Sequence, residues 1–284
     1  MRKLFFIFLF SIFALKINAF TIGQEFTYSK DFWQESAKIS VPVSYAFNVG
    51  LDFDLTEHDD IDHHIYNFAL PLMLRTDTFG LFFRPFITPD NANNASAWGA
   101  KLYATINIKD DEIEQTTAYS FLSVGFASQD AYVFKTGQTA QKEDFNQIVY
   151  EGGVLFDYFG IYFFEVGGNI FQYLSGINSV ESVGGVLEQQ NIASLDSLDY
   201  TLALPKGSAG LKIRWNSQES SSENSVSYRF IEFHDKGASA HHSVQISSNI
   251  FVGDRFIVGL AYNHIFISSQ KDKDIFKAAL SLKL

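Results

Sequence analysis

Residues 39–53 read ISVPVSYAFNVGLDF: Ile39, Val41, Val43, Tyr45, Phe47, Val49, Leu51 and Phe53 are apolar, and every residue between them is small or polar. Strict alternation puts all the apolar side chains on one face of an extended chain, so the stretch predicts a β-strand with one apolar and one wet face. Strands in soluble sheets average about 5–6 residues, and this run is far longer. It exceeds the roughly 9–11 tilted residues that a strand needs to cross a bilayer.

The first nineteen residues read as an export signal rather than as part of the fold. Arg2 and Lys3 form a positive start, Leu4 to Leu15 an apolar core, and Ile17-Asn18-Ala19 a cleavage site after Ala19. The chain has no cysteine, so it carries no disulfide, no thiolate metal site and no lipid anchored on a cysteine. The net charge of −11 argues against a nucleic-acid partner, which requires basic patches. Loss of Arg2, Lys3 and Lys16 makes the remainder more acidic still. Thirty Phe and thirteen Tyr bring the aromatic content to 16 %, as a lipid-facing band with aromatic girdles would.

The alternation recurs along the whole chain. Tyr66, Phe68, Leu70, Leu72 and Leu74 share one face, followed by Leu81, Phe83, Pro85 and Ile87, and then by Ala100, Leu102, Ala104, Ile106 and Ile108. A fifth strand lies within Gln115 to Ser128, and a sixth and seventh flank a tight turn at Asp157-Tyr158-Phe159-Gly160. A helix over Gly152 to Leu174 is the other reading of that region, but Asp157, Glu165 and the glycines oppose it. Leu198 to Asn216 reads as one strand interrupted at Pro205-Lys206-Gly207. The last four strands are Asn224–His234, Ala240–Phe251, Arg255–Ser268 and Asp274–Leu284. Twelve strands result, with ten or fourteen as the other even counts. The connections 54–62, 89–96, 129–144, 175–197, 235–239 and 269–273 fall at one end, and shorter turns at the other. An even count puts both chain ends on one side of the membrane.

Signal, alternating strands and amphipathic last strand together resemble the bacterial outer-membrane β-barrel proteins, the porin-like class, over the whole exported chain. The resemblance implies an all-β antiparallel transmembrane barrel in the outer membrane, with a signal peptide at 1–19, a periplasmic segment at 20–36 and the barrel at 37–284. It implies outer-membrane lipids and the barrel-assembly machinery as partners, and passage of small solutes as the function. Proteins of this class commonly end on an aromatic residue, whereas this chain ends in Leu284. Phe276, Leu280 and Leu282 are then the residues left to present to the assembly machinery.

Charges that alternate onto the minority face are the candidate lumen residues: Arg84, Lys101, Glu151, Glu165, Lys212, Arg214 and Arg229, with Lys277 and Lys283 in the last strand. A charge facing hydrocarbon costs roughly 2–4 kcal/mol at mid-depth, so their common side is informative. They either line a polar passage or form a paired network that plugs a narrow barrel. The second alternative makes the protein a structural or adhesive barrel whose loops contact partners. No cofactor and no catalytic residue is expected. A lipase of this architecture would present a His and a Ser two apart on one strand. His241 and Ser243 have that spacing, but no Gly-Arg follows. A rim protease would use Asp59 or Asp60 with His63 or His64. Glu57 to His64 also offers carboxylates and imidazoles, although its spacing fits no metal motif, so no metal is expected there.

Overall fold

The computed structural model describes residues 20–58, 61–89, 96–111, 116–134, 141–174, 182–184, 204–217, 221–234, 239–267 and 272–284. The signal assigned to 1–19 lies outside these. Sixteen strand segments occur among the described residues: β1 (Thr21–Ser29), β2 (Phe32–Pro42), β3 (Phe47–His58), β4 (Ile61–Ala69), β5 (Leu72–Arg75), β6 (Phe79–Thr88), β7 (Ala97–Asp111) and β8 (Thr116–Phe134); then β9 (Gln141–Tyr158), β10 (Tyr162–Tyr173), β11 (Ser182–Gly184), β12 (Pro205–Asn216), β13 (Ser222–Phe233), β14 (His241–Val252), β15 (Phe256–Ile267) and β16 (Lys273–Lys283). Apart from β5 and β11, successive strands pair antiparallel around the wall, and β1 pairs with β16 from Thr21↔Lys283 to Ser29↔Ile275, which closes the ring. β4 and β5 are two halves of one wall strand, bent at Leu70-Pro71. β11 is a short addition beside the far end of β8. The barrel therefore has fourteen strands.

Fourteen rather than twelve is a correction, and it arises at the stretch first quoted. Residues 39–53 are not one strand but the arms of a hairpin, β2 and β3, joined by a turn at Val43–Ala46. Val41 lies opposite Val49, Ile39 opposite Leu51 and Ala37 opposite Phe53. Directly opposed residues project to the same face, and here their numbers share parity, so the apolar alternation passes through the turn unbroken. Ser44 holds the turn: its Oγ accepts from the backbone N–H of Ala46 (3.3 Å) and of Phe47 (3.1 Å). The segment 20–36, expected in the periplasm, forms β1 and the start of β2, inside the wall. Its alternation is hard to see because β1 is only nine residues long and a turn at Lys30-Asp31 follows it.

Two expected loops are also shorter than their polar composition suggested. β3 runs to His58, and β8 and β9 extend through Phe134 and from Gln141, with Asp130 opposite Asp144. Backbone pairing needs no apolar side chains, so a hairpin continues where its residues turn polar. The Asp157–Gly160 region is the tight turn expected. Phe159 and Gly160 both have positive φ (58° and 62°), Ile161 N–H donates to Tyr158 O (3.1 Å), and Asp157 Oδ1 accepts from Gly160 N–H (2.8 Å). Phe20 and Leu284 exchange backbone hydrogen bonds, so the first described residue and the C-terminus sit at the end of the barrel that carries the short turns. We call this the terminal end and the opposite one the loop end.

The side-chain distribution is that of a soluble protein turned inside out. Leu51, Phe68, Leu81, Leu102, Ile106, Leu122, Val166, Leu211, Ile246, Leu260 and Leu280 are exposed on the outer surface. Gln34, Ser36, Asn67, Ser123, Gln147, Asn169, Ser225 and Asn263 are buried on the inner one. Aromatic residues stand on the outer face at both ends: Tyr28, Trp98 and Phe266 toward the loops, and Phe79, Tyr158, Tyr162 and Phe256 toward the termini. Only a low-dielectric surrounding makes such an exterior favourable.

Candidate functional site

The lumen collects the charged side chains because alternate residues of every wall strand point into it. On β6 and β7, Arg84 and Lys101 are directly opposed. Like charges so placed need acidic neighbours, and β3 supplies them: Arg84 Nε donates to Asp52 Oδ2 at 3.0 Å, and Arg84 Nη2 lies 3.9 Å from Asp54 Oδ2. On the next strands, Lys101 faces Gly125, and Glu151 lies between Ser123 of β8 and Asn169 of β10. Ser208 Oγ donates to Asn169 Oδ1 (3.0 Å), carrying the polar row on to β12.

Lower on the same wall Glu165 is directly opposite Lys212, an oppositely charged cross-strand pair. Arg214 lies 3.5 Å from Glu223 and stacks 4.1 Å over the Phe163 ring. Arg229 faces Gly210 on one side and Ser243 on the other. Lys277 lies between Thr27 and Ala261, and Lys283 lies opposite Thr21. Lys101, Glu151 and Arg229 are 7 %, 4 % and 7 % exposed, which places three charges deep in the wall. Burying a charge is costly unless it is compensated, so charges of both signs here are a physical requirement. Alternation pointed to Glu151 and Glu165 as well as to the basic members, but Asp52, Asp54 and Glu223 were passed over. Their signal was available: Asp52 alternates with Leu51 and Phe53.

The lumen is not uniform along its axis. Toward the loops, Ala69, Phe86, Ala97, Ala127, Val149, Phe171, Ile231 and Phe233 form one buried apolar cluster on the inner face. Phe32, Ile265, Ile267 and Ile275 form another across from it. We call the two together the collar. Gln147, fully buried on β9 between Phe145 and Val149, has neither end of its amide hydrogen-bonded. Toward the termini the lumen opens into a cavity of about 460 Å³ that reaches Arg75, Asp157 and Arg214.

The His–Ser pair of the lipase alternative is not assembled in this geometry. The Ser243 hydroxyl donates to Asn263 Oδ1 (2.7 Å), while the His241 ring packs edge-on against Phe233 at 4.5 Å, so the two do not form a nucleophile–base pair. His64 lies on the outer face, 3.2 Å from Glu57 and beside the Trp33 ring. Asp59, Asp60 and the His63 side chain fall outside the described residues. Among the described residues no group of three or more His, Cys, Asp or Glu side chains is placed to hold a metal ion.

No family model and no curated protein matches the sequence. Solved structures do match by shape. The monoaromatic hydrocarbon channel CymD superposes with a TM-score of 0.53 at 6 % identity, over 93 % of this chain and 87 % of that one. The NanC porin gives 0.46 at 5 % identity over 93 % of this chain and 100 % of its own. CdiB from Acinetobacter baumannii gives 0.49 at 8 % identity over 94 % of this chain, which spans only 60 % of CdiB. The protein thus has the fold of the bacterial outer-membrane porins and channels, a closed antiparallel β-barrel. At these identities the likeness is one of fold.

Proposed function

We propose that the protein is an outer-membrane channel for small solutes, exported behind a signal peptide cleaved after Ala19, inserted among outer-membrane lipids by the barrel-assembly machinery, and not an enzyme. The observation that carries this reading is the inverted surface: apolar side chains outside, and a charged, hydrogen-bonding inner face running from Asp52 and Arg84 round to Arg229. Arg84, Lys101, Glu151, Glu165, Lys212, Arg214 and Arg229 are the residues assigned to the solute path.

Conductance in planar bilayers tests the reading. The folded protein is expected to give resolvable ion steps, and Lys101→Glu to shift ion selectivity toward cations. Leu102→Glu, one residue along and on the outer face, is expected to impair assembly instead, because that carboxylate meets hydrocarbon. Folded protein without ion steps, or equal tolerance of the two substitutions, overturns it.

The apolar collar favours a second reading, a structural barrel with a closed lumen. Silence in the bilayer that persists in a Phe171→Ser, Ile231→Ser double variant would establish it.

A further inference from the structure

The cavity at the terminal end is walled by more aromatic rings than an aqueous passage requires. Phe82, Tyr103, Tyr119, Phe121 and Phe163 all line it. The inner face of such barrels is ordinarily polar, so five rings turned inward at the wet end call for a ligand. Two of the rings are held in place. The Phe121 ring lies across Gly153 and Gly167, which oppose each other on β9 and β10; a Cβ at either would come within 2.5 or 2.7 Å of Phe121 Cζ. Tyr103 stacks on Phe121 with centroids 5.8 Å apart and planes 26° apart. Farther round, Phe163 is capped by the Arg214 guanidinium.

Between the rings stand hydrogen-bonding groups. The Asn107 Oδ1 atom is buried there without a partner, and Thr105, Arg75 and Asp157 complete the edge. Arg75 and Arg214 are offset by Asp77 and Asp157, so the wall selects no net charge. Flat apolar faces next to fixed donors and acceptors complement a molecule with a C–H face and a hydroxyl rim. The volume, about 460 Å³, lies within the usual range of ligand sites and has room for about one or two sugar rings.

We infer that this cavity binds a neutral mono- or disaccharide, an assignment that rests on the lumen being the solute path. Tyr103, backed by the buried Phe121 ring, is the stacking face, and Asn107 accepts from a sugar hydroxyl. Ring-shaped sugars are favoured over open-chain polyols because only a ring presents a flat C–H face.

The test is saturable block of single-channel current by sucrose and glucose, with sorbitol as the open-chain control and benzoate as the aromatic anion. Sucrose and glucose are expected to block and sorbitol not to. Tyr103→Leu and Asn107→Ala should each raise the half-blocking concentration of sucrose by about tenfold. Phe121→Leu, which removes the ring that backs Tyr103, carries the same test should Tyr103→Leu lose the heat-modifiable gel mobility of a folded barrel. Equal block by sorbitol and sucrose, stronger block by benzoate, or an unchanged half-blocking concentration in the variants overturns the inference while leaving the channel intact. If the folded protein shows no ion steps, calorimetric titration of sucrose against sorbitol in detergent decides separately. Selective heat with sucrose sustains the saccharide site without the channel, and no heat removes both.

Discussion

The two ends of the lumen use the same alternating face for opposite ends. Toward the loops, inward Phe86, Phe171, Ile231 and Phe233 are buried against one another, with between 2 % and 7 % of each exposed. Toward the termini, inward Arg75, Tyr103, Thr105 and Arg214 leave a cavity between them. Between lies the charged row of Asp52, Arg84, Lys101 and Glu151. Apolar side chains facing a narrow aqueous path expel water from it, whereas polar and aromatic ones hold water or solute. In the proposed channel, this contrast puts the main barrier to permeation at the loop end and the place of residence at the terminal end.

The contrast is broken most directly by moving a charge from one end to the other. Ile231→Asp places a carboxylate in the collar and is expected to cost several kcal/mol, enough to reduce the folded, heat-modifiable band sharply. Thr105→Asp, facing the cavity, should leave that band unchanged. If both are tolerated alike, the collar is wet and the contrast is false.

A smaller effect belongs to the row between the two ends. Arg84→Leu leaves Asp52 and Asp54 without their guanidinium and is expected to cost roughly 3–5 kcal/mol in urea titrations. Adding Asp52→Asn should recover part of that loss. Additive losses in the double variant would mean the pair is not coupled.

At the terminal end, Gly167→Val drives its side chain against Phe121 and is expected to cost roughly 1–3 kcal/mol. Ion conductance should fall as the ring is pushed into the cavity. Unchanged conductance would show that Phe121 does not border the path.

The smallest effect is at the loop-end rim. Burial first, and Lys206 second, hold His234 below its usual 6.5, so the folded state binds its proton less readily than the unfolded state. Stability should therefore be steady above pH 6.5 and decline slightly as the pH falls through it, a slope that His234→Gln removes. The same slope in His234→Gln would assign it to other groups.

Much of the wall was readable before the structure. The strands around Leu102, Ile213 and Phe276 have their faces fixed by alternation alone, because a side chain's side depends only on its place along its own strand. The lumen side of Arg84, Glu165 and Lys212 follows from Phe83, Val166 and Leu211 beside them. What escaped was relational. That Arg84 meets Asp52, or that Phe121 lies on Gly153 and Gly167, depends on register between separate strands. The paired glycines at 152–153 and 167–168 were visible, but nothing local says that they face each other.

By itself, then, the sequence determined a wall of strands with an apolar exterior, since period two and the low cost of apolar side chains in lipid are local properties. Only the tertiary structure decided that the wall has fourteen strands. The turn at Val43–Ala46 pairs residues of equal parity, so the alternation crosses it without a trace, and β1 is revealed only by its closure onto β16. It also decided where the lumen narrows, because the collar joins side chains from β2 round to β16, and no run along a single strand contains that contact.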